Sequence, residues 1–263
     1  LHEPDYSAKL GGMNIPFRLS CLALLLAAAP AFADEPAAVP VATVRVTFDR
    51  HGVTDTRTTG VADPATGRAV TADDPVRIAS ISKLVLSIGA MRLVEEGKLD
   101  LDADVSDTLG YQVRNPNFPD APITLRLLLS HTSSLTDGAG YWQVPFDGQF
   151  KDLLDDPKAW DKEHAPGAYW RYANAGFPII AGVMERATGE RFDLLMQRLV
   201  LKPLGLHACY SWPTCDEATA ARAVVLYSEG KPEVDDNHGK KPACGITKAS
   251  DGSCDLSKWR AGT

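Results

Sequence analysis

The stretch "ISKLVLSIGAMRLVEEG" (residues 81–97) constrains the fold more than any other. From Leu84 to Val94 only Ser87, Gly89 and Arg92 interrupt the apolar residues. A helix that is apolar on nearly every side must be covered on nearly every side, so the pattern predicts a central, buried helix. Gly97 is placed to stop it, because glycine accepts the left-handed conformation that closes a helix. The mouth of this helix reads "IASISKLV" and carries Ser80, Ser82 and Lys83. Lysine is costly to bury and serine weakens a helix interior, so their position asks for a reason.

Ser80 and Lys83 stand three apart, which places them on one helix face, one turn from each other. At a helix start the backbone N–H groups lack partners within the helix. Three expectations follow. The serine oxygen lies within reach of the lysine amine. The Ser80 N–H can donate to an oxyanion forming on a bound carbonyl. Burial and the positive end of the helix both favour an uncharged amine at position 83. Such an amine can take a proton from a serine hydroxyl and make it a nucleophile. S-x-x-K by itself is common, and a plainer reading stands beside it: Ser80 or Ser82 caps the helix and Lys83 reaches water. A second stretch, "WRYANAGF" (170–177), precedes another apolar helix. In an extended segment Tyr172 and Asn174 face the same side, so a hydroxyl and an amide can meet one spot. The plainer reading here is that Asn174 caps the helix and Tyr172 packs.

Elsewhere the pattern is mixed. "VATVRVTF" (41–48) and Thr54–Val61 alternate as a β-hairpin does. Residues 62–75 are turn-rich, 99–110 read as a surface turn with a small helix, and 123–131 as a short helix capped by Thr124. "TSSLTDGAG" is a loop. Residues 175–188 and 190–201 predict two helices split by Gly189 and stopped by Pro203. A small hairpin is expected near 223–234. A lone hairpin is marginal in water, so the one at 41–61 needs more strands than this sequence clearly supplies.

The first methionine is Met13. Arg18, the apolar run Leu19–Ala29 and Ala31-Phe32-Ala33 read as a secretory signal peptide, with cleavage expected after Ala33. Residues 1–12 are expected to lie upstream of the true start, and 34–263 to form one partial domain. The net charge of −7, without basic clusters, argues against nucleic acid as partner. After signal cleavage no apolar run is long enough to span a membrane. Four of the five cysteines follow residue 33, and export favours disulfides. Short loops favour Cys209–Cys215 and Cys244–Cys254 over the other pairings. The spacing is too wide for a usual zinc site, so no metal is expected.

Read together, these phrases resemble the serine β-lactamase and penicillin-binding-protein superfamily, closest to its class C-like and family VIII esterase branch. The likeness runs through "VRIASISKLV", "LVEEGKLDLDADVSDTLG", "ITLRLLLSHTSSL", "PGAYWRYANAGFPIIAGVMERATGERF" and "LVLKPLGL". S-x-x-K is a known motif of such enzymes. The resemblance implies an α/β fold of the α+β type, an antiparallel sheet flanked by helices, with a helical subdomain and a site between them. Carried over by position, Ser80 resembles the nucleophile, Lys83 its base partner, Tyr172 the tyrosine that shares proton transfer, and Asn174 the amide that orients substrate. Ser82 has no assigned role, and His131 is expected to shape its loop rather than act as base. The family's late Lys- or His-x-Gly triplet has no match, since "NHGK" (237–240) has the wrong order. Together with the missing strands this leads to the expectation of a C-terminally truncated chain that is poorly active alone. The implied function is an exported, periplasmic or secreted serine hydrolase that passes through an acyl-enzyme on an ester, amide or β-lactam carbonyl, without cofactor. Its substrate would be a small molecule or a cell-wall peptide. Alternatives are a D-alanyl carboxypeptidase or aminopeptidase, a non-catalytic penicillin-binding sensor, and an envelope interaction domain.

Overall fold

The computed structural model describes residues 42–144, 149–228, 231–232 and 250. The expected leader (1–33), the "NHGK" stretch and both Cys244 and Cys254 lie outside the described residues.

The alternating N-terminal stretches form a hairpin, β1 (Ala42–Asp49) and β2 (Gly52–Asp63), paired antiparallel from Ala42↔Gly60 to Asp49↔Gly52. Gly52 supplies the positive φ that the tight connection needs. A two-residue strand, β3 (Arg68–Ala69), adds to the other edge of β2. It lies within residues 62–75, the stretch read as turn-rich. The apolar side chains Val44, Val46, Phe48 and Val53 of this sheet are exposed. Within the late hairpin expected near 223–234, β4 (Tyr227–Ser228) pairs antiparallel with β5 (Lys231–Pro232).

Helices make up the core. The first, α1 (Ile81–Glu95), is followed by α2 (Val105–Leu109), α3 (Leu125–Leu129), α4 (Phe150–Leu153) and α5 (Gly176–Thr188). Then come α6 (Phe192–Met196), continued by a π-helical turn through Leu201, and α7 (Glu217–Arg222). Local chemistry explains their ends. Thr124 accepts from the Leu127 N–H at 3.3 Å and starts α3 as expected. Gly189 closes α5 in the left-handed region. Lys98 N–H donates to the Leu93 carbonyl just past Gly97, whose φ is +67°. That closes α1 at the predicted glycine.

The centre of the core corrects the expectation for α1. It buries one side only, through Leu86, Gly89, Ala90 and Leu93. The opposite stripe, Ile81, Leu84, Ile88 and Met91, is exposed, Leu84 by 63%. The helix covered on most sides is α5, from Phe177 to Glu185, packed among α1, α2, α3 and α6. α5 and α6 reach α1 from one side, and the all-round apolar pattern does not say which side they take. Gly89 permits that approach: a Cβ there would lie 2.8 Å from Met196 Sδ. Cys209 and Cys215 form a disulfide. It frames Tyr210, whose half-buried phenol donates to the Ser82 carbonyl at 3.0 Å and so ties that loop to the first turn of α1.

Candidate active site

Ser80 stands immediately before α1, preceded by Ala79 with φ +43°. A left-handed backbone at a non-glycine residue is strained, and here it turns the chain sharply into the helix. The Ser80 side chain makes no capping hydrogen bond, so the plainer reading of it as a cap is set aside. Its Oγ instead lies 2.6 Å from Tyr172 Oη and accepts from Lys83 Nζ at 3.1 Å. Lys83 does not simply reach into water. Its amine also donates to Asn174 Oδ1 at 2.6 Å and lies 4.9 Å from the centre of the Tyr172 ring. Ser80 and Tyr172 are exposed, whereas Lys83 and Asn174 are half-buried. The four residues singled out from the sequence therefore meet at one place, although 91 positions separate Lys83 from Asn174.

The approach depends on the loop after α3. His131 has φ +57°, and its carbonyl accepts from the Arg171 N–H at 2.9 Å. Its Nδ1 accepts from the Ala173 N–H at 3.3 Å, which places any ring proton of the neutral form on Nε2. These two bonds flank Tyr172 and hold its segment extended. The imidazole lies against the phenol ring, with centroids 4.5 Å apart. Burial, and then the charge of Lys83, push the His131 pKa down. Its contacts are those of a loop-shaping residue.

Asn174 does not cap α5 with its side chain. Asp137 satisfies that helix start from outside, accepting from the Asn174 N–H at 2.7 Å and the Ala175 N–H at 2.9 Å. Its other oxygen accepts from Asn174 Nδ2 at 2.7 Å. Asp137 is the residue that the sequence reading missed. A lone carboxylate in a loop has no periodicity to announce it. Its place shortly after "SHTSSL" was the available signal.

Chemically, Ser80 Oγ sits between two groups that can exchange protons with it. Interaction with Lys83 first, and with Ser80 second, holds the Tyr172 phenol below the ordinary tyrosine range. A hydroxyl hydrogen-bonded to such a phenol has a route for its proton. Among the described residues no group of histidines, cysteines and carboxylates could hold a metal ion.

A family model described as Beta-lactamase matches residues 31–250. The chain belongs to that family. Among relatives of this beta-lactamase-family chain, "Esterase EstB" of Burkholderia gladioli is 32% identical over 203 residues, 70% of this chain and 50% of that protein. "D-alanyl-D-alanine-carboxypeptidase/endopeptidase AmpH" of Escherichia coli K12 is 30% identical over 152 residues, 55% of this chain and 39% of that protein. The solved structure of a "Beta-lactamase/D-alanine Carboxypeptidase" from Yersinia pestis aligns with a TM-score of 0.58 at 24% identity, covering 70% of this chain and 53% of that one. That likeness is one of fold: the helices and antiparallel sheet are those of the beta-lactamase and penicillin-binding proteins. The chain spans about half the length of the curated relatives it matches.

Proposed function

We propose that the protein is an exported serine hydrolase with Ser80 as nucleophile. The observation that carries this reading is the position of Ser80 Oγ, 2.6 Å from Tyr172 Oη and 3.1 Å from Lys83 Nζ. Ser80 Oγ attacks the carbonyl carbon while its proton moves to the Tyr172–Lys83 pair. The pair is treated as one unit, because two groups this close share their protons. The oxyanion faces the Ser80 N–H at the helix start. Collapse of the tetrahedral adduct returns a proton to the departing alcohol or amine and leaves an ester on Ser80. Water then attacks that ester, loses its proton to the same pair and frees the serine. Asn174 orients Lys83 and the acyl group.

The relative named as an esterase favours a broad ester substrate. The relative named as a D-alanyl-D-alanine carboxypeptidase supports a second reading, a peptide ending in D-alanine. The leader read at residues 13–33 supports a secreted or periplasmic location.

An activated fluorophosphonate followed by intact-mass measurement tests the nucleophile. The expected result is one adduct on the wild type and on Ser82→Ala, and none on Ser80→Ala. An adduct that persists in Ser80→Ala and disappears in Ser82→Ala overturns the assignment. A p-nitrophenyl ester, a D-alanyl-D-alanine peptide and a chromogenic β-lactam then rank the substrates. A stable acyl adduct without release would mark a penicillin-binding sensor instead.

A further inference from the structure

We propose that Asp137 is a positioning residue that sets which end of the Asn174 amide meets Lys83. The inference rests on the reading of Ser80 and Lys83 given above and adds a residue to it. An asparagine side chain presents an acceptor at one end and two donors at the other, with nearly the same shape. Its sense is decided by its partners. Lys83 Nζ lies 2.6 Å from one end, and Asp137 Oδ2 lies 2.7 Å from the other. An ionised carboxylate only accepts, so Asp137 can hold only the NH2 end. The carbonyl end is left facing the amine.

Asp137 is itself held in place. Its Oδ1 takes the N–H groups of Asn174 and Ala175, and its carbonyl accepts from the Gly140 N–H at 3.0 Å. The neighbouring Thr136 bonds to Lys158 and Ala159 through Oγ1 and N–H, at 2.5 and 2.8 Å. The order Lys83, amide, carboxylate thus alternates donor and acceptor without a break. If the amide turned round, its NH2 would face the Lys83 amine. Once Lys83 carries the proton taken from Ser80 it has donors only, so the two would repel and the ammonium would leave its position 3.1 Å from Ser80 Oγ.

Asp137→Asn makes that reversal at constant size. The new amide keeps its oxygen on the two backbone N–H groups, since turning it would lose both bonds. Its own NH2 then confronts Asn174 Nδ2 and drives Asn174 round. The double variant Asp137→Asn/Asn174→Asp restores the alternation, because the carboxylate at 174 accepts from both sides.

The test is hydrolysis of p-nitrophenyl butyrate by the full chain. Asp137→Asn is expected to lower kcat about 100-fold with little change in KM, the scale of a displaced catalytic group. The double variant is expected to recover at least about tenfold of that loss, one part in two of the same logarithmic scale. A merely structural carboxylate would not be rescued by moving the charge to 174. Equal kcat in Asp137→Asn and the wild type, or a double variant no better than the single one, overturns the proposal. A second measurement needs no folded variant. In the 15N-labelled wild type, the Asn174 side-chain NH2 should exchange with solvent more slowly than exposed asparagines do. Exchange as fast as theirs also overturns the proposal. A wild type that is not acylated but keeps a protected Asn174 amide counts against the Ser80 reading and supports the Asp137 one.

Discussion

In the proposed reaction Ser80, Lys83 and Tyr172 share the path of one proton, so their single substitutions should differ in kind. Ser80→Ala removes the proposed nucleophile, and ester turnover is expected to vanish. Tyr172→Phe keeps the ring against His131 but removes the hydroxyl, and a loss of about 10²–10⁴ in kcat is expected for a missing acid–base group. Stopped-flow release of p-nitrophenol checks both. His131 makes a separate prediction about stability. Its folded-state pKa is pushed down by burial and by Lys83, whereas the unfolded chain protonates near pH 6.5. Its contribution is therefore full above about pH 6.5 and is lost as pH falls toward the folded-state value. His131→Asn suits the backbone, because asparagine tolerates a φ of +57°. Thermal melts from about pH 8 to pH 5 should show the wild type losing stability relative to this variant. Parallel curves would refute it. At this scale the sequence was legible where spacing is local, as in Ser80 and Lys83. It was silent on Asp137, whose partners are chosen by a loop crossing.

Two glycines separate soft from hard contacts between elements. A Cβ at Gly89 of α1 meets the end of the flexible Met196 side chain, which can move aside. Gly89→Ala is expected to change stability by no more than about 1 kcal/mol, since helix propensity gains what repacking loses. A Cβ at Gly138 would lie 2.6 Å from the backbone carbonyl of Lys158, which cannot yield in the same way. Gly138→Ala should destabilise by about 1–3 kcal/mol in urea unfolding. It should also slow ester hydrolysis, because Asp137 is the adjoining residue. Unchanged turnover with reduced stability would separate the loop from the chemistry. Element boundaries were readable where caps are local, at Thr124, Gly97 and Gly189. The buried side of α1 was not readable, since a helix apolar all round points nowhere.

The disulfide and the exposed apolar faces act on the whole molecule. Cys209 and Cys215 are six residues apart, and closing so short a loop stabilises by about 2 kcal/mol in the chain-entropy model. Cys209→Ser/Cys215→Ser should lower the melting temperature by about 4–8 °C, read by calorimetry. Ile81, Leu84, Ile88 and Met91 on α1 expose a continuous apolar stripe. Stripes of this kind favour association, so sedimentation velocity should show the chain self-associating with concentration. Leu84→Lys/Ile88→Lys should weaken that association, and a wild type that stays monomeric throughout would refute the idea. The sequence by itself determined α1, α2, α3, α5 and α6, the N-terminal hairpin, the caps at Thr124, Gly97 and Gly189, and Ser80, Lys83, Tyr172 and Asn174 as side chains able to meet. Each of these depends on spacing along a few turns or on residue types read in order. The elements α4, α7 and β3 emerged only in the structure. Only the tertiary structure decided that α5 is the central helix, that His131 holds the Tyr172 segment, and that Asp137 completes the chain of hydrogen bonds to Lys83. Those outcomes depend on which distant segments cross, and periodicity carries no information about the partner across a crossing.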